Sequence, residues 1–210
     1  MRLAILANRE QKDEILSLGI SDDCRIYWLK SVEEIYKVSA VDALFDMLFE
    51  ENIYDTSGFK SFSGGTVFVN SVNKTIGEIA APVIRINGWP GFLQRSIAEV
   101  ACGDNTKKEA AEKILSHLNK RTEWVPDIKG FISSRVVSMI INEAYFALEE
   151  NVSTKDEIDI AMKLGTNYLY GPFEWAKKIG LKNIVSLLTE LSLSEKRYQP
   201  AGLLLKEAIE

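Results

Sequence analysis

Acid–base, metal and thiol chemistry each need particular side chains, and this sequence uses few of them. Its one histidine, His117, is the side chain whose unperturbed pKa lies near neutrality, which makes it the first candidate for a general base. It falls in a helical stretch from Thr106 to Lys120, beside Ser116 and close to Asn119, and reads as a surface or boundary residue. The two cysteines, Cys24 and Cys102, are too few for a disulfide framework and match no metal-ligand spacing. They read as buried reduced thiols, and no metal is expected. Carboxylates outnumber cations, 30 Asp and Glu against 25 Lys and Arg, for a net charge of −5 and a pI near 5.2. That balance argues against nucleic acid or an anionic membrane surface as the main partner.

The elements that would position such residues change character along the chain. Short apolar runs at Arg2 to Ala7, Arg25 to Leu29, Ala43 to Phe49, Thr66 to Asn70 and Val83 to Asn87 alternate with helical patterns, the rhythm of a parallel sheet with crossover helices. Ser31-x-x-Glu34 and Thr106-x-x-Glu109 have the capping-box spacing of helix starts. The Ser-Gly-rich segment Ser61 to Gly65 reads as a loop. After Pro126 the strand-like runs stop, so we expect one domain over residues 1–125 and an all-helical one over 126–210. From Phe131 to Glu150 apolar residues occupy nearly all sides, the pattern of a central helix or a subunit interface. A further helix starts at Thr154-x-x-Glu157 and is expected to end at Gly165, Gly171-Pro172 opens the next, and a last begins after Pro200. No run of 18 apolar residues is present and the first segment lacks a cleavage pattern, so a soluble, cytoplasmic protein is expected.

Six pieces then stand in order at close spacing: Gly130-Phe-Ile-Ser-Ser-Arg135, Asn142-Glu-Ala144, Glu157-Ile-Asp159, Ala161-Met-Lys-Leu-Gly165, Gly171-Pro-Phe-Glu174 and Gly180-Leu181. This series resembles the C-terminal domain of the 3-hydroxyacyl-CoA dehydrogenases. Upstream, Val41 to Asn52, Phe68 to Ser71 and Ile97 to Val100 extend the likeness to roughly residues 40 to 205. The fold it implies is α/β plus all-α: a truncated Rossmann-like parallel-sheet domain, then a helical dimerisation domain like the C-terminal domain of 6-phosphogluconate dehydrogenase.

The resemblance also implies a site, in which a histidine base oriented by a glutamate, with a serine and an asparagine, oxidises a 3-hydroxyacyl-CoA by hydride transfer to NAD. Glu99 matches the family glutamate. Counting back from it without gaps puts the histidine position on Asn87, and the family asparagine falls on Ser134. An amide takes up no proton near neutral pH, so the base is missing. The family serine position is Val72, with Ser71 one residue away and Asn70 two before; Asn70 and Ser71 are the weak substrate-binding candidates.

Where the family has its glycine-rich dinucleotide turn, this chain has Asn8-Arg-Glu-Gln-Lys-Asp-Glu14, with no glycine and with Glu10, Asp13 and Glu14 where phosphates would lie. No cofactor is therefore expected, although the family uses NAD. The implied function is a 3-hydroxyacyl-CoA dehydrogenase-like protein of fatty-acid metabolism, nominally NAD-dependent and catalytically degenerate. The alternative is a non-catalytic acyl-CoA-binding protein or a dimeric scaffold. A homodimer through the helical domain is expected, and Trp89, Trp124 and Trp175 read as core or interface aromatics.

Overall fold

The computed structural model describes residues 1–209 except 36, 39, 52–55, 57–58, 60–61 and 63–64. Most of the expected loop from Ser61 to Gly65 therefore lies outside the described residues. The chain divides into two compact units, Met1–Phe131 and Ile132–Glu210.

The first unit holds β1 (Arg2–Leu6), α1 (Arg9–Leu16), β2 (Arg25–Leu29), α2 (Val32–Ile35), β3 (Ala43–Asp46), β4 (Thr66–Asn70), α3 (Ile76–Ile79), β5 (Ile84–Ile86), β6 (Ile97–Cys102), α4 (Lys108–Ser116) and β7 (Arg121–Trp124). The strands form one sheet in the order β2-β1-β3-β4-β5-β6-β7. Pairings are parallel except β5 with β6, where Ile86 faces Val100. Successive residues of a strand point to opposite faces, and β1 shows the result. Leu3 and Ile5 join the apolar cluster with Ile15 of α1 and Ala111, Ile114 and Leu115 of α4, whereas Ala4 and Leu6 join the cluster with Ile35 of α2 and Ile79 of α3. Chain order reverses between β1 and β3, the topological switch point where ligands of doubly wound sheets bind, at the carboxyl ends of the strands.

Two strands were not expected. β6 lies antiparallel against β5, and β7 is the edge segment Arg-Thr-Glu-Trp, whose side chains are all exposed or half-buried. With no apolar run, β7 gives no periodic signal and exists because β6 offers it a free edge. The expected cap at Thr106 is also displaced. Asp104 caps a 3-10 turn by accepting from Thr106 N at 3.0 Å, and α4 begins only at Lys108.

The second unit holds α5 (Ser133–Glu149), α6 (Lys155–Thr166), α7 (Pro172–Ile179), α8 (Leu181–Ser192) and α9 (Gly202–Glu207). Thr154 caps α6 as its spacing predicts, but Gly165 stays inside the helix. The left-handed residue is Asn167, at φ 57°, a side chain that tolerates that conformation.

The motif residues here are packing devices. Asp159 accepts from the N–H groups of Phe173 (2.8 Å) and Glu174 (3.1 Å), capping α7 from a neighbouring helix. Gly171 makes that possible, since a Cβ there would lie 2.3 Å from the Asp159 carboxylate. Asn142 donates to Gln199 O at 2.9 Å and accepts from Ala201 N at 2.8 Å, tying α5 to the segment before α9. No described helix is long and apolar enough to cross a membrane.

Candidate functional site

Asn87 immediately follows β5, and Glu99 lies in β6. Antiparallel pairing brings them opposite each other: Asn87 N donates to Glu99 O at 3.0 Å, and Asn87 Nδ2 donates to Glu99 Oε2 at 3.0 Å. The other amide atom, Oδ1, is buried with no hydrogen-bond partner among the described residues. The gapless count from Glu99 to Asn87 thus corresponds to a physical contact.

The two candidates after β4 are engaged locally. Asn70 Oδ1 accepts from Gly88 N at 2.9 Å and its Nδ2 donates to Met47 O at 3.1 Å. Ser71 Oγ donates to Lys74 O at 3.0 Å. Val72 brings no hydroxyl, and its carbonyl accepts from Gly130 N and from Arg85. Ser134 belongs to the second unit, on the first turn of α5, fully buried and, among the described residues, with no hydrogen-bond partner for Oγ.

Polar side chains bind loop to loop along the carboxyl ends of the strands. Gln11 of α1, 1% exposed, donates to Met47 O (2.9 Å) and Gly88 O (3.3 Å). Glu14 was expected to face a phosphate. It is buried instead, and accepts from Gly91 N (2.6 Å) and Leu93 N (3.2 Å). Glu50 accepts from Asn73 N (2.5 Å) and Trp89 Nε1 (3.2 Å), and burial pushes its pKa up. None of these roles carries a local sequence signal, because each partner lies at least 23 residues away in the chain. A carboxylate spaced for an exposed face looks the same in sequence as one turned inward.

Asp46, at the end of β3, is wholly buried too. Burial pushes its carboxyl up to about 7, against the hydrogen bond from Leu48 N and with a further push from Glu51, while Oδ2 has no partner. An acid whose pKa is raised on folding binds its proton more tightly when folded, so its stability contribution is lost as pH rises from about 4 to about 7 and stays lost above. At about 1.4 kcal/mol per pKa unit, the cost above pH 7 is on the order of 4 kcal/mol as an upper bound. Asp46→Asn is expected to stabilise the protein at pH 8 and to gain progressively less toward pH 5. Urea unfolding of both proteins at several pH values checks this, and a difference that does not change with pH contradicts it.

The remaining candidates resolve simply. His117 ends α4 half-buried, contacting Lys113 O (2.6 Å) and Asp23 (3.3 Å). Cys24 and Cys102 are free but half-buried, not fully buried as expected. Trp89 and Trp175 are core residues, 1% and 5% exposed. Among the described residues no group of three or more His, Cys, Asp or Glu could hold a metal ion.

The turn after β1 does not form a glycine cradle. Asn8 accepts from Gln11 N, and Gln11 reaches back to Asn8 N, so the first turn of α1 closes on itself where a pyrophosphate would meet free N–H groups.

Residues 130–208 match the family model described as 3-hydroxyacyl-CoA dehydrogenase, C-terminal domain. A 3-hydroxyadipyl-CoA dehydrogenase of Escherichia coli is 36% identical over 134 residues, 63% of this chain and 28% of that protein. A 3-hydroxybutyryl-CoA dehydrogenase of Clostridioides difficile is 27% identical over 206 residues, covering 93% of this chain and 72% of the relative. Among the first curated relatives the matched span is 28% to 40% of their length. The crystal structure of (S)-3-hydroxybutyryl-CoA dehydrogenase from Ralstonia eutropha superposes with a TM-score of 0.74 over 98% of this chain and 92% of that one, at 20% identity, a likeness of fold. These relatives correct one expectation. They are named as dehydrogenases, and hydride transfer of this kind uses a nicotinamide dinucleotide, so the expectation that no cofactor takes part is overturned. The missing glycines show only that the usual cradle is absent.

Proposed function

We propose that the chain, whose residues 130–208 match the C-terminal domain model of the 3-hydroxyacyl-CoA dehydrogenases, is a dehydrogenase-like protein of acyl-CoA metabolism, cytoplasmic, whose site binds an acyl-CoA but lacks the family base. The observation that carries this is the Asn87–Glu99 pair, which keeps the orienting carboxylate 3.0 Å from a residue that cannot take up a proton. Nicotinamide dinucleotide remains the family's hydride carrier in this reading. Among this chain's own residues, Asn87 offers a hydrogen-bond acceptor and Glu99 holds its orientation. A ligand that binds only the folded state raises its stability by mass action. Butyryl-CoA and acetoacetyl-CoA are therefore expected to raise the melting temperature in a thermal-shift series more than CoA alone does. No shift with any acyl-CoA up to millimolar concentration would remove the reading.

The helical unit favours a homodimer. Ile160 and Leu164 of α6 are 52% and 84% exposed, Leu169 just beyond it is 68% exposed, and Val136 of α5 is 51% exposed. Large apolar side chains left in water at this density mark an interaction surface. Sedimentation equilibrium at micromolar concentration is expected to give twice the 23.6 kDa chain mass, and Leu164→Glu with Ile160→Glu is expected to return it to one chain. A monomer in the unaltered protein contradicts the dimer.

A further inference from the structure

We infer that the free edge of β7 docks a second copy of this chain, with β7 running antiparallel to the partner's β7 about Thr122, on a surface separate from the apolar face of the helical unit.

β7 ends the sheet, and among the described residues no strand pairs with its outer side. Arg121 N donates to Ser96 O at 2.7 Å and Val125 N to Val100 O at 2.9 Å, so the odd-numbered residues turn their backbone groups toward β6. Thr122 and Trp124 direct theirs outward, a template on which another strand can add.

Charged side chains commonly protect such an edge by repelling a neighbour. Here the two charges are of opposite sign and two residues apart. Arg121 and Glu123 are both exposed. They stand on the face away from α4, because Trp124, on the other face, donates to Glu112 of α4 (2.7 Å) and has Lys108 Nζ 5.0 Å from its ring centroid. With Thr122 opposite the partner's Thr122, Arg121 meets the partner's Glu123 and Glu123 meets the partner's Arg121. No backbone bonds join these pairs, and at such positions cross-strand side chains come closest. Moving the centre one residue either way sets Glu123 against Glu123 or Arg121 against Arg121. The same two side chains thus choose the register and make the edge self-complementary, as a two-fold interface requires.

On the α4 face the edge is not filled. A groove of about 680 Å³ is lined by Glu112 and Ser116 of α4 together with Ser96, Asn119, Lys120 and Thr122. The Thr122 hydroxyl is buried beside it with no hydrogen-bond partner among the described residues, and a threonine directly opposite supplies one. The same register brings the partner's Trp124 opposite Lys120, at this groove.

The test is sedimentation equilibrium of the full chain carrying Ile160→Glu and Leu164→Glu, so that only the edge contact is left. A four-residue strand makes a small interface, so dimers are expected at concentrations on the order of 100 μM and above. Adding Arg121→Glu, or adding Glu123→Arg, is expected to weaken self-association at least about tenfold, since both opposite-charge pairs become like-charge pairs. An equimolar mixture of these two variants is expected to associate again, and so is the chain carrying both changes, whose edge is once more self-complementary. Circular dichroism confirms that each variant is folded. A parent chain that stays single up to roughly 1 mM overturns the inference and leaves the edge to some other strand. Association that neither reversal weakens overturns it too, as does a loss that mixing the two variants fails to restore.

Discussion

The purified protein is expected to reduce acetoacetyl-CoA with NADH at least about 100-fold more slowly than its catalytic relatives, since positioned general acid–base catalysis contributes roughly 10² to 10⁴-fold. Glu99 is in place, but the group it orients is an amide, bonded at 3.0 Å. In the family reading of the sequence, Val72 stands at the serine position and Ser134 at the asparagine position. Groups that act as one unit do not contribute independently. Asn87→His alone is therefore expected to leave turnover low, although it would face Glu99. The assay follows NADH absorbance with several acyl chain lengths for both proteins. Turnover typical of the family in the unaltered chain would show that another group serves as the base.

The largest stability effect is expected at Arg85. Its side chain is wholly buried, and it donates from Nε to Ser71 O (2.9 Å), from Nη2 to Val72 O (3.2 Å) and from Nη1 to Ile128 O (3.2 Å). Its ion-pair partner is Asp127 at 2.5 Å, and the guanidinium lies over the Phe131 ring with 4.6 Å to the centroid. One cation thus ties the turn after β4 to the segment after β7, with Asp127 as its ion-pair partner. Removing one member of a buried pair leaves an uncompensated charge and costs about 3 to 5 kcal/mol. Asp127 is 28% exposed and also accepts from Ile76 N at 2.9 Å, so water replaces part of what is lost and the lower end applies to Asp127→Ala. Arg85→Met combined with Asp127→Leu is expected to lose less than Asp127→Ala alone, because no charge is left buried. Urea denaturation of the three variants measures this. A loss below about 1 kcal/mol for Asp127→Ala, typical of exposed pairs, would show that the bridge carries little.

The contact between Asn87 and Glu99 was legible because the pair lies close in sequence. Asn87 and Glu99 are joined through two adjacent strands, so a count without gaps was enough to predict which residue the glutamate faces. Four of the five expected strands, β1, β3, β4 and β5, were visible for a similar reason, as apolar runs buried on both faces stand out whatever their partners. The helical unit was legible through devices that need fixed residue types, such as the threonine cap at Thr154 and the close approach at Gly171.

Tertiary structure decided the rest. β7 pairs along the edge that β6 presents, and its four residues carry no apolar run that would mark it in the sequence. Glu14, Glu50, Arg85 and Asp46 are ordinary charged residues in the sequence, and their burial depends on distant backbone groups that fold over them. The cofactor expectation went wrong by the same route, because an absent glycine turn speaks only for one local way of holding a dinucleotide. Local sequence determines what a few neighbouring residues can do, through periodicity, capping and close approach. Which charges lose their water, and which acceptors are left facing inward without a donor, is set by chain segments far apart in sequence, because desolvation belongs to the whole packed arrangement.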